Sequence, residues 1–244
     1  MFEVAQQHFG SIDIVCPGAG VYEPPFSNFW HPPGSDSSSR DSPDGGRYAL
    51  LDINLTHPIR VTQLAISHFL AADPPSSAQN PKTVVHISSI AGQATPLPAP
   101  VYNATKHAMN GFVRSLAPLE ARLGIRIAAV APGVVKTPLW TDNAEKMKAV
   151  GSNDAWVTPE EVAEVMVALV DKDEIGNVAG NLDKGENIPI RGGSILEVST
   201  GKVRVVQAFN DPGPGDRPGN ITSNMGQLED DVWNALGTKG WGGL

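Results

Sequence analysis

The chain has 244 residues, 41% of them hydrophobic and 18% charged, enough for one sizeable core and nothing that forces a second. A formal net charge of −8 argues against nucleic acid or an anionic membrane as the main partner, and no apolar run approaches the ~18–20 residues of a membrane span. One cysteine, Cys16, excludes an internal disulfide and fits a reducing, cytoplasmic compartment.

Residues 1–10 lack the basic and apolar regions of a signal peptide and read as the last turns of an amphipathic helix stopped at Gly10. The run 12–16 is a short buried strand that enters the tight loop Pro17-Gly18-Ala19-Gly20. Residues 31–46, rich in Ser, Pro, Gly and Asp, form a flexible surface insertion. Apolar positions then recur at helical spacing over 47–70, with Pro58 expected to cost one hydrogen bond and bend the helix. A strand at 83–87, a helix at 100–123 and a strand at 125–131 closed by Pro132-Gly133 follow, and 139–151 reads as a lid. Thr158, Pro159 and Glu161 form a capping box that opens a helix reaching about residue 171. The segment 194–199 is a further strand, and 200–244 is a C-terminal extension containing a short helix at 227–236. Strands alternating with long helices predict one α/β domain, a mostly parallel sheet with helices on both faces.

Chemistry gathers around Ser89, Tyr102 and Lys106. The strand at 83–87 delivers the serine, and four-residue spacing puts the phenol and the ammonium on one helix face. These three groups together can move a proton at a carbonyl or alcohol oxygen. Tyr-x-x-x-Lys alone is usually a solvated surface pair, and mid-helix Asn54 alone is usually a surface residue. The six histidines make no metal-ligand grouping with Cys16, so no metal site is expected, and Cys16 reads as a small buried strand residue. Leu139, Trp140 and Met147 either line an apolar substrate pocket or anchor the lid. Ser88 is explained by local backbone bonding.

The order of landmarks resembles the short-chain dehydrogenase/reductase family over about residues 1–200. Asp13 to Gly20 stands for its Asn-Asn-Ala-Gly loop, Leu51-Asp52-Ile53-Asn54-Leu55 for its asparagine helix, Ser89…Tyr102-x-x-x-Lys106 for its catalytic set, and Pro132 to Thr137 for its nicotinamide loop. Pro100-Val101-Tyr102-Asn103-Ala104-Thr105-Lys106-His107 is similar to the 15-hydroxyprostaglandin dehydrogenase-like branch. The resemblance implies hydride transfer between NAD or NADP and a secondary alcohol or carbonyl. In that reading Tyr102 is the acid/base and Lys106 lowers its pKa while holding the nicotinamide ribose. Ser89 donates to the substrate oxygen, and Asn54 holds a relay water. Gly18, Ala19, Gly20, Pro132, Gly133, Val135 and Thr137 join Tyr102 and Lys106 on the cofactor. Family members usually pair through the helices at 47–70 and 100–123, which implies a homo-oligomer, a dimer first.

The family pattern also opens with a strand, a Gly-rich phosphate loop and a helix, and these roughly 70–80 residues are missing relative to it. The expected sheet is therefore a partial Rossmann-type one, family strands 4-5-6-7, with 12–16 at an exposed edge. The run 213–219 does not substitute for the phosphate loop, being broken by prolines. Pro17-Gly18 replaces the two asparagines, and Ala99 stands where the prostaglandin branch has a substrate-contacting glutamine. Two other readings keep the same residues: a truncated, non-catalytic partner subunit, and an isomerase or dehydratase that uses Tyr102 without nicotinamide.

Overall fold

Ile125–Pro132 (β3) is apolar at nearly every position and buried along its length, as a strand covered on both faces must be. It lies at the centre of a five-stranded sheet ordered β1-β2-β3-β6-β7, where β1 is Ile14–Val15, β2 Lys82–Ile87, β6 Ile195–Ser199 and β7 Lys202–Val205. The first four are parallel and β7 returns antiparallel to β6. Glu174–Ile175 (β4) and Ile188–Pro189 (β5) make a separate two-stranded ribbon. This computed structural model describes residues 1–34, 37–142, 144–147, 150–151, 154–176, 187–208 and 225–239. The run 213–219 and the last five residues lie outside them.

Successive residues of β3 point to opposite faces, and the two faces have separate cores. Ile125, Ile127, Ala129 and Ala131 meet Ala65, Ile66 and Phe69 of α3 (His57–Ala71) together with Met109 and Val113 of α4 (Pro100–Ser115). Ala128 and Val130 face Val165, Ala168 and Leu169 of α8 (Pro159–Asp171). Phe2 of α1 (Phe2–Phe9) packs at the edge of the first core, and Gly10 ends that helix at φ 79°. Thr158 and Glu161 make the expected capping box of α8.

The structure departs from the sequence expectations at several places, each for a local reason. The helix expected at 47–70 is three pieces in one rod: α2 (Ala49–Leu51), a π-helical turn over Asp52–Thr56, and α3, with Pro58 in the first turn of α3. The helix expected at 100–123 breaks at Leu116–Ala117, because Pro118 opens α5 (Pro118–Leu123) instead of continuing α4. Gly124 ends α5 at φ 66°, where a Cβ would stand 2.1 Å from the Ser77 carbonyl oxygen. The insertion at 31–46 is tied down near its end. Asp41 is buried, its Oδ1 accepts the Ala49 N–H (2.7 Å) and the Ser27 hydroxyl (3.0 Å), and Ser27 Oγ accepts the Leu50 N–H (3.0 Å). Together they cap α2.

The sheet also continues past residue 200, since β7 closes a hairpin on β6 and Val203, Val206 and Leu236 of α9 (Met225–Leu236) are buried. The segment expected as a lid contains α6 (Pro138–Thr141) and α7 (Ala144–Met147). Cys16, expected inside, is exposed, because β1 is only two residues long and lies at the sheet edge.

His86 on β2 is fully buried. Its Nε2 is 2.9 Å from the Thr62 hydroxyl, which itself donates to the Pro58 carbonyl (2.8 Å), so the imidazole donates to Thr62. Burial, and then the Lys106 ammonium, push its pKa down from 6.5 to about 4. Between those pH values the unfolded chain binds a proton that the folded chain refuses, so stability falls as the pH drops from 6.5 towards 4. The loss is about 3 kcal/mol in the fully desolvated limit. His86→Gln keeps a donor for Thr62 and removes the titration. Urea unfolding at pH 7 and pH 4.5 is expected to show a flatter pH dependence in this variant than in the parent.

Candidate active site

Three loops leave the sheet at the carboxyl ends of β1, β2 and β3 and converge where α4 begins, the crevice at which open α/β sheets place ligands. The middle loop is set by register: Ile87 pairs with Val130, and the Ser88 N–H continues the ladder to the Val130 carbonyl (2.7 Å). Ser89 Oγ then accepts the Ala91 N–H (3.1 Å), capping a 3₁₀ turn over Ile90–Gly92.

Asn110 holds both ends of that turn. Its Oδ1 accepts the Ser88 hydroxyl (2.6 Å) and its Nδ2 donates to the Gly92 carbonyl (3.0 Å). Gly92 is required here, since a Cβ would stand 2.5 Å from Asn110 Nδ2. Ser88 is thus bound by a side chain of α4 and not by local backbone. Tyr102, Lys106 and Asn110 recur at four-residue intervals on one face of α4, and that periodicity was the available signal for Asn110.

Burial raises the Tyr102 phenol pKa above its usual value; the Ser89 side chain opposes the rise and neighbouring Tyr22 adds to it. Lys106 is 6% exposed, and desolvation brings its pKa down from 10.5 to about 8. Its Nζ donates to the Ile87 carbonyl (2.7 Å) and lies 5.5 Å from the centroid of the Tyr102 ring. The expected lowering of the Tyr102 pKa by Lys106 is therefore not what this arrangement produces. The ammonium sits over the ring, and desolvation of the phenol prevails.

Asn54, in the π-helical turn, is buried with both ends of its amide engaged: Oδ1 accepts the Val21 N–H (2.9 Å) and Nδ2 donates to the Val21 carbonyl (2.8 Å). The same side chain clamps the loop that contains Gly18, Ala19 and Gly20. Beyond the clamp, Tyr22 meets Tyr102 edge-on at 4.8 Å between ring centroids and lies 5.3 Å from the ring of Trp140. Trp140 is thus turned to the site, and Lys146 Nζ stands 5.6 Å from the Tyr22 ring.

The third loop starts at Pro132, the last residue of β3. The Gly133 N–H donates to the Val198 carbonyl (2.8 Å), Val135 bridges to Val157, and the Thr137 hydroxyl lies 3.4 Å from the Val135 carbonyl just before the lid. The structure therefore unites Ser89, Tyr102 and Lys106 directly. It joins Asn54 to them through Val21 and Tyr22, and leaves Val135 and Thr137 at the base of the lid. Tyr22 and Glu23 escaped the sequence reading because nothing in a loop's composition tells which helix it crosses. Among the described residues no three His, Cys, Asp or Glu side chains are grouped as metal ligands would be.

Asn110→Ala strips partners from Ser88 and Gly92 in a buried turn. It is expected to cost about 2 kcal/mol, read as a lower urea midpoint at unchanged m-value.

Residues 1–148, more than half of the chain, match the family model described as short chain dehydrogenase. An L-fucose dehydrogenase of Bos taurus is 30% identical over 138 residues, 57% of this chain and 44% of that protein. The 15-hydroxyprostaglandin dehydrogenase [NAD(+)] of Rattus norvegicus is 28% identical over 207 residues, 82% of this chain and 66% of its own length. The chain thus spans between about two-fifths and two-thirds of these relatives. Among solved structures, a short chain dehydrogenase from Mycobacterium avium superposes with a TM-score of 0.56 at 18% identity, covering 96% of this chain and 67% of that one. A 4-hydroxyisoleucine dehydrogenase complexed with NADH gives 0.52 at 21% identity, covering 70% and 65%. At such identities these structures speak to the fold, which is the Rossmann type.

Proposed function

The chain belongs to the short-chain dehydrogenase family, an oxidoreductase family, and on that premise we propose that Tyr102 is the acid/base of a hydride transfer between a nicotinamide cofactor and a small secondary alcohol or carbonyl. The observation that carries the reading is the grouping of Ser89 with the buried Tyr102 phenol and the Lys106 ammonium, which lies over the Tyr102 ring 5.5 Å from its centroid. Burial keeps the proton on Tyr102 in this state, the form that donates to a carbonyl oxygen. Ser89 is placed to hold that oxygen while its charge changes.

The residues present fit the nicotinamide end of NAD or NADP. Lys106 has three N–H donors and, among the described residues, one acceptor in Ile87, which leaves donors for a ribose hydroxyl. A Cβ on Gly18 would meet only the Cys16 carbonyl at 3.9 Å, so that loop leaves room for a close approach. Gly20, Ala19, Pro132, Gly133, Val135 and Thr137 complete the proposed contact set. When bound, the cofactor supplies or accepts the hydride; this chain holds the oxygen and moves its proton.

The named relatives act on different substrates by their names, fucose and a hydroxyprostaglandin, at similar identity, so the prostaglandin-like branch rests on the motif around Tyr102. Pairing of two copies through the helices at 47–70 and 100–123, and a cytoplasmic location, belong to the same reading and rest on the family resemblance. No described helix is long and apolar enough to cross a membrane.

Calorimetric titration with NADH and NADPH, followed by turnover on a panel of secondary alcohols and ketones, tests the proposal. Tyr102→Phe is expected to retain cofactor affinity and lose roughly 10²–10⁴-fold in kcat. Binding of neither cofactor, or full turnover by the phenylalanine variant, overturns it.

A further inference from the structure

Helix α4 carries Tyr102 in its first turn, yet has no cap of its own. Ala99 stands at the N-cap with no side chain to offer, and Pro100 follows. The two N–H groups that the first turn leaves free are those of Val101 and Tyr102, and both point to one oxygen, Glu23 Oε1, at 2.9 and 3.4 Å. This carboxylate comes from the loop after β1, 78 residues away in sequence. We propose that Glu23 is a positioning residue for Tyr102, capping α4 from outside the helix and holding the first turn so that the phenol meets Ser89.

Three observations set Glu23 apart from an incidental contact. Its backbone sits at φ 30°, the sole positive φ among described non-glycine residues, a conformation that costs energy and persists only where the surroundings impose it. Its side chain is 8% exposed, and Oε2 has no hydrogen-bond partner among the described residues, so a carboxylate is kept out of water for the sake of its other oxygen. Its neighbours are fixed independently. Asn54 clamps Val21 at two points, Tyr22 packs on Tyr102, and Asn28 Nδ2 donates to the Glu23 carbonyl (3.1 Å). A negative group at the start of α4 is also favoured by the helix dipole. Asn54 and Glu23 thereby act in series: one secures the loop, the other ties it to the helix that bears the phenol.

The proposal rests on the role of Tyr102 given above, and its test separates the two. The chain has three tyrosines, so labelling the phenol carbon lets each be titrated separately by NMR. Glu23→Ala is expected to raise amide exchange at Val101 and Tyr102 about tenfold. It is also expected to move the Tyr102 titration towards the ordinary phenol value as the ring leaves the Ser89 side chain. Glu23→Gln keeps an acceptor oxygen and is expected to restore both readouts. Unchanged exchange and titration in Glu23→Ala overturn the positioning role, and so does a glutamine variant as impaired as the alanine one. If the NMR changes appear in a chain that turns over no alcohol, the positioning role stands and the dehydrogenase reading falls. If the parent turns over and Glu23→Ala matches it in kcat, the positioning role alone falls.

Discussion

The pairing of β2 with β3 is the constraint on which the rest depends. Six consecutive residues, Lys82 to Ile87, face Ile125 to Val130 in parallel register, and both strands are covered on both sides. A parallel pair ends its strands at the same level, so the Ser88–Gly92 turn and the Pro132–Thr137 loop emerge side by side. A slip of one residue would exchange the two cores, setting Ile125 and Ile127 against α8 and Ala128 against α3. The apolar pattern therefore sets the height of the site as well as the stability of the sheet.

On this base the site is assembled from polar residues that act at second hand. Asn110 fixes the turn presenting Ser89, Asn54 fixes the loop presenting Tyr22, and Glu23 joins that loop to α4. Each is buried with its hydrogen bonds directed to backbone or to a short side chain, so each removes freedom from a segment that sequence composition alone would call a loop. Lys106 and His86 carry the opposite cost: both are desolvated basic groups with depressed pKa values, packed close enough for the lysine to oppose protonation of the histidine. A cationic group kept in a dry site is unfavourable for folding and useful for binding a polar ligand, a common tension at functional sites.

Much of this was legible in the sequence. The strand–helix alternation, the parallel order of the first four strands, the capping box at Thr158 and the Ser89/Tyr102/Lys106 constellation all follow from patterns of two to four residues, and local geometry acts over that range. The breaks in the helices were harder to read. Pro118 lies inside an apolar pattern that continues to Leu123, and the π-helical turn at Asp52–Thr56 leaves no mark in periodicity. The β7 hairpin was hidden by the Gly/Pro-rich composition that follows it, and Asp41 was hidden inside a polar insertion although it caps α2.

By itself the sequence determined the family, the Ser89, Tyr102 and Lys106 pattern and the sheet that carries it, because these are written in short-range spacing along single elements and in the order of those elements. Only the tertiary structure decided what those side chains face. It put Lys106 against the Ile87 carbonyl and over the Tyr102 ring, buried the phenol so that its pKa rises above the usual value, and gave the amide of Asn54 to Val21. It also brought Glu23 to the start of a helix 78 residues downstream. The physical reason is that burial and long-range hydrogen bonds depend on which loops cross which helices, and a linear pattern carries no record of that crossing.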